Sequence, residues 1–140
     1  MTGKKRVLFI CTHNAARSQM AEGYLRARYG GRFEAFSAGT YASRVSRYAT
    51  EVMEEIGIDI SGHRSKTLAE FAGQEMDLVV TVCDAARDAC PFFPGAKKVI
   101  HAGFPNPGDF YGDREEVLRG FRMIRNAITQ WIDENIAARA

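Results

Sequence analysis

Four short apolar runs, separated by stretches of helical spacing and by turns, fix what this chain of 140 residues can become. Val7-Leu8-Phe9-Ile10 is the first, and Ser18 opens a predicted helix that runs to about residue 29, where Gly30-Gly31 breaks it. Phe33 to Ala38 is the second run, closed by Gly39. Arg47 to Ile56 places Ala49, Val52, Met53 and Ile56 at helical spacing, with Gly57 as its cap. After the polar stretch Ser61 to Ser65, Thr67 with Glu70 three residues on marks a short helix start. Leu78 to Val82 is the third strand and Lys98 to His101 the fourth, with Asp84 to Cys90 between them as a short helical or looped segment stopped by Pro91. Gly103 to Gly112 reads as a loop and Arg114 to Ile136 as a closing helix.

Alternation of this kind predicts one α/β domain over residues 1–140, a four-stranded parallel sheet with helices on both faces and a site at the carboxyl ends of the strands. An apolar fraction of 46% suffices for one core. Lys and Arg total 19 against 17 for Asp and Glu, without a basic block, so neither nucleic acid nor an anionic membrane surface is an expected partner. Lys4-Lys5-Arg6 precedes an apolar run too short for a signal peptide, and no stretch is long enough to span a membrane. Three cysteines without a secretion signal point to reactive thiols in a cytoplasmic protein rather than to a disulfide framework.

Chemistry concentrates in Cys11-Thr12-His13-Asn14-Ala15-Ala16-Arg17, a C-x5-R loop between the first strand and the first helix. A helix start leaves several N–H groups unpaired and carries partial positive charge, and Arg17 adds a two-pronged guanidinium, so a tetrahedral oxyanion is the fitting ligand. A cysteine in such a position is held toward the thiolate, its reactive form, and Ser18 is placed to donate a hydrogen bond to it. In the sheet order 2-1-3-4, Cys11 and Cys83 each fall one residue past the end of adjacent strands. Strands lie about 4.8 Å apart, within reach of a disulfide. Cys83 and Cys90 are further apart, roughly 10.5 Å if the segment between them were regular helix. Joining them requires that segment to unwind or loop out, since disulfide Cα atoms rarely exceed about 7 Å. His13, His63 and His101 are scattered and make no zinc site with the cysteines, although His13 sits in the loop and can shape the anion pocket.

The segments Cys11 to Glu22, Ser37-Ala38-Gly39-Thr40, Gly57-Ile58-Asp59-Ile60-Ser61, and Asp77 to Cys83 with Cys90-Pro91 carry a further signal. Over nearly its whole length the chain resembles the thioredoxin-coupled arsenate reductases built on the low-molecular-weight protein tyrosine phosphatase fold. The resemblance implies that the loop Thr12, His13, Asn14, Ala15, Ala16, Arg17 and Ser18 binds arsenate, with phosphate or sulfate as competing anions, and that Cys11 attacks it. Cys83 then attacks Cys11 as arsenite leaves, and Cys90 attacks Cys83. The resulting disulfide goes to external thioredoxin, with no bound cofactor and a monomeric enzyme expected.

Two departures from the resemblance stand out. Relatives carry an aspartate before a proline as general acid where this chain has Asn106-Pro107, so Asp109 takes that role, water does, or the step needs little acid help. Asn14, Glu22 and Ser37 match positions that bind potassium in some relatives, but Lys66 stands in place of the acidic fourth ligand, and no metal is expected. The rival readings are a phosphotyrosine phosphatase using Cys11 and Arg17, and a non-catalytic oxyanion or redox sensor.

Overall fold

A computed structural model describes residues 3–83 and 92–139. Its elements are β1 (Lys5–Cys11), α1 (Arg17–Tyr29), β2 (Phe33–Gly39), α2 (Arg47–Glu54), β3 (Leu78–Thr81), β4 (Val99–His101) and α3 (Arg114–Asn135), with 3-10 turns at Leu68–Phe71, Pro107–Asp109 and Ala137–Arg139. The strands form one parallel sheet in the order β2-β1-β3-β4, as the alternation of elements predicts. Register sets Cys11 opposite Gly39 and Ile10 opposite Thr81, so the carboxyl ends of β2, β1 and β3 lie together at one end of the sheet.

Side chains alternate across the sheet because successive residues of a strand point to opposite faces. Val7, Phe9 and Cys11 join Ala35 and Val80 on the face packed by α1, α2 and α3, through Met20, Leu25, Met53, Ile124, Ile128 and Ile132. Leu8, Ile10 and Val79 point to the other face, where Phe71, Met76 and Phe93 cover them. Among the described residues the second face is thus closed by a 3-10 turn and loops, while the three α-helices share the first.

Element ends differ slightly from expectation. β1 extends to both sides of its apolar run because Lys5 and Arg6 still pair with Phe33 and Glu34, so Cys11 is the last strand residue rather than the first beyond it. β3 ends at Thr81, which places Cys83 two residues past it, although the Val82 amide still donates to the Ile10 carbonyl at 2.8 Å. α2 stops at Glu54 because the next turn tightens: Ile56 and Gly57 bond three residues back, to Met53 and Glu54, and Gly57 follows at φ 79°. The expected segment from Asp84 to Cys90, its stop at Pro91, and Cys90 itself lie outside the described residues. No helix among the described residues is long and apolar enough to cross a membrane.

Candidate active site

The loop from Cys11 to Arg17 is held open by bonds that pull its carbonyls outward. Thr12 O accepts from the Tyr41 amide at 3.0 Å, His13 O from Ser65 Oγ at 2.9 Å, Asn14 O from Gln19 Nε2 at 3.1 Å and Ala15 O from the Ser46 amide at 2.8 Å. A trans peptide points its C=O and the following N–H in opposite directions. The amides of His13, Asn14, Ala15 and Ala16 are therefore turned to the inner side of the loop, where the first turn of α1 adds its own unpaired N–H groups. The result is a concave array of donors suited to an anion.

Asn14 is the keystone of the curl. It adopts φ 50°, a left-handed conformation that asparagine tolerates better than most residues, and it is fully buried. Its Nδ2 donates to Ser18 Oγ at 2.8 Å and Ser37 Oγ at 3.0 Å, while its Oδ1 accepts from Gln19 Nε2 at 2.8 Å and the Lys66 amide at 3.0 Å. Gly39 makes the approach to β2 feasible, since a Cβ there would sit 2.8 Å from both Asn14 N and Thr12 O.

Cys11 is 2% exposed, and its Sγ lies 2.9 Å from Ser18 Oγ. Arg17 is buried alongside and donates through Nη1 to the Phe104 carbonyl at 3.3 Å, which steers the guanidinium across the mouth of the loop. Cys83, fully buried, donates to the carbonyl of Ile10 at 3.6 Å, the residue directly before Cys11. The sheet thus gathers Cys11, Arg17, Ser18 and Cys83 at one edge. His13 is exposed and stacks at 5.8 Å on Tyr41. His63 bonds to Gln19 and His101 to Thr81.

Above the loop opens a cleft of about 420 Å³. Cys11, His13, Ala15, Ala16 and Arg17 form its floor, and Ser46, Tyr48, Asn106, Phe110, Tyr111 and Phe121 contribute to its walls. Apart from Asn106, those wall residues come from distant segments and carry no shared motif, which is why the sequence does not single them out. Asp109 is half-buried on the turn Pro107–Asp109 and is absent from the cleft lining, whereas Gly108 and Phe110 on either side belong to it.

A family profile described as low molecular weight phosphotyrosine protein phosphatase matches residues 6–139. The chain belongs to that family. Within it, the arsenate reductase of Halalkalibacterium halodurans is 43% identical over 125 residues, covering 89% of this chain and 90% of that protein. A solved arsenate reductase in the phosphate binding state superposes with a TM-score of 0.77 at 30% identity, covering 97% of this chain and 99% of the other. A thioredoxin-dependent arsenate reductase from Corynebacterium glutamicum reaches a TM-score of 0.65 at 28% identity, covering 97% of this chain and 64% of that one.

In this member of the phosphatase family, the residues matching the potassium position do not fit the ion, because they are already engaged. Glu22 accepts from Ser37 Oγ at 2.5 Å, faces Lys66 Nζ at 3.6 Å and pairs with Arg26 at 2.7 Å. Lys66 Nζ also donates to the Arg64 carbonyl at 3.3 Å. Burial pushes the Lys66 ammonium below its usual pKa while Glu22 pulls it back up, and burial likewise lowers His63. Among the described residues no group of three or more His, Cys, Asp or Glu side chains is arranged to hold a metal. Asn106, where relatives carry the acid, uses its Oδ1 to cap the Gly108 amide at 3.0 Å.

Proposed function

We propose that the protein reduces arsenate to arsenite, with Cys11 as nucleophile, Cys83 and Cys90 as the relay, and thioredoxin as external reductant. The observation that carries this reading is the placement of two buried thiols, Cys11 and Cys83, around the Ile10 carbonyl at the floor of an anion loop. A phosphatase of this family has no use for the second thiol. The names of the relatives support the same reading, and the Corynebacterium glutamicum protein supports thioredoxin as the donor.

Arsenate is held by the loop residues Thr12 to Ser18, with Arg17 forking two of its oxygens. Cys11 attacks arsenic and one oxygen departs as water, leaving a bond from Sγ to pentavalent arsenic. Protonation of the departing oxygen falls to Asp109 or to water, since an amide at Asn106 is no acid. Cys83 then attacks Cys11 Sγ. The sulfur–sulfur bond forms, the sulfur–arsenic bond breaks with its electron pair left on arsenic, and arsenite leaves. Cys90 attacks Cys83 and restores the Cys11 thiol, and thioredoxin reduces the Cys83–Cys90 disulfide. Phosphate binds in the same loop but cannot accept the electron pair, so selectivity resides in the chemistry.

Turnover with arsenate, thioredoxin, thioredoxin reductase and NADPH tests the scheme. The Cys11→Ser variant is expected to be inactive while still binding phosphate, and the Cys90→Ser variant to release one equivalent of arsenite and then stop. Sustained turnover by the Cys90→Ser variant would overturn the relay.

A further inference from the structure

We infer that the cleft above Cys11 admits organic arsonates, and that the protein reduces aryl arsonates, R–AsO(OH)2, to the trivalent R–As(OH)2. This inference rests on the arsenate reductase reading of the same thiols and extends it to a second substrate class.

Size is the first argument. A tetrahedral oxyanion takes the space of two or three waters, roughly 60–90 Å³ at about 30 Å³ each, and so fills only the floor of the 420 Å³ cleft. The volume left over is in the range of sites built for organic ligands, about 300–1,000 Å³. Lining is the second. Tyr48, Pro107, Phe110, Tyr111, Val117 and Phe121 line the cleft together with the anion loop. They are fixed in place rather than loosely gathered: the Tyr48 and Phe121 rings pack at 5.4 Å, and Phe110 lies so close to α3 that a Cβ at Gly120 would fall 2.5 Å from its ring. Tyr111 is 83% exposed at the lip, an aromatic face without a covering layer. An inorganic anion makes no use of such a wall, whereas a flat apolar group projecting from the anion is stabilised by it.

Bond chemistry decides between aryl arsonate and aryl phosphate. Hydrolysis of an aryl phosphate expels a phenol that must be protonated, and Asn106 has no acid proton to give. In an arsonate the ring is bonded to arsenic through carbon and never leaves. Cys11 adds to arsenic and one hydroxyl departs as water. Attack of Cys83 on Cys11 Sγ forms the disulfide and returns the electron pair to arsenic, and the proton of the second thiol completes the second hydroxyl of R–As(OH)2. Two thiols supply both electrons, and the carbon–arsenic bond stays intact.

The test is a single turnover of the fully reduced full-length chain with phenylarsonate, methylarsonate and arsenate in parallel, acid-quenched and resolved by arsenic-specific chromatography. One equivalent of phenylarsonous acid is expected, with half-saturation at about tenfold lower concentration than for methylarsonate. In the Tyr111→Ala variant that phenyl-to-methyl ratio should fall several-fold. Reduction of arsenate without reduction of phenylarsonate, or a phenyl group that gains nothing over methyl, overturns the inference and leaves the arsenate reading standing. Failure of all three to oxidise the thiols overturns both.

Discussion

Ser18 Oγ receives the Asn14 side-chain amide at 2.8 Å and lies 2.9 Å from Cys11 Sγ, an arrangement that leaves its own proton for the sulfur. The chain continues outward, since Ser37 Oγ accepts from Asn14 at 3.0 Å and donates to Glu22, whose charge Arg26 and Lys66 balance. The Cys11 sulfur thus faces a neutral donor that is itself oriented by a buried network. Removing one such donor costs about 1 kcal/mol, close to a fivefold to tenfold effect. Ser18→Ala should therefore slow alkylation of Cys11 by iodoacetamide by about that factor, and an unchanged rate would show that the hydroxyl has no part in activating the thiol. Cys11, Arg17 and Ser18 are legible in sequence because they lie within one short loop and its first helical turn. The bonds of Asn14 to Ser37 and to the Lys66 amide, and the closeness of Gly39 to Asn14 and Thr12, are not, because those partners lie far along the chain.

The cleft owes its walls to how its elements begin and end. α2 starts at Ser46, whose side chain accepts from the Ala49 amide at 3.3 Å and whose own amide holds the Ala15 carbonyl. α3 starts at Asp113 with a full capping box: Asp113 Oδ1 accepts the Glu116 amide at 2.9 Å, and Glu116 Oε1 accepts the Asp113 amide at 3.4 Å. Asp113→Ala should lower stability by about 1 kcal/mol in urea unfolding; an unchanged midpoint would show that Arg114, which pairs with Glu51 across to α2, carries the helix start alone. β1 and β3 are readable in sequence because each is an apolar run buried on both faces, whereas β4 is short with Val99 54% exposed; the strand order follows from the alternation with helices. Helix ends are less so, since the tightened turn after Glu54 depends on packing. The turn Pro107–Asp109 shows the limit most clearly: Asn106 is legible as a departure from the relatives, but that its Oδ1 caps the Gly108 amide at 3.0 Å appears only in the fold.

Across the molecule, α3 is tied back to α1 by two phenols sharing one carboxylate oxygen, Tyr24 at 2.7 Å and Tyr29 at 2.6 Å from Asp133 Oδ1. Burial and the Asp133 hydrogen bond push Tyr24 up to about 12. The folded chain keeps this proton to higher pH than the unfolded chain, whose tyrosine titrates near 10. The stability it contributes is therefore complete below pH 10 and is lost as pH rises from 10 through 12. Tyr24→Phe should lower stability at pH 8 by about 1–2 kcal/mol and flatten the fall between pH 10 and 12; an unflattened fall would place the alkaline transition elsewhere. At this scale the sheet order explains why thiols 72 positions apart in sequence meet at one edge, and the central claim is that they react as a set. The most direct measurement mixes the fully reduced protein with arsenate, without external reductant, and counts thiols. The account predicts a fall from three to one with Cys83 and Cys90 mapped as the disulfide; three thiols persisting would contradict it.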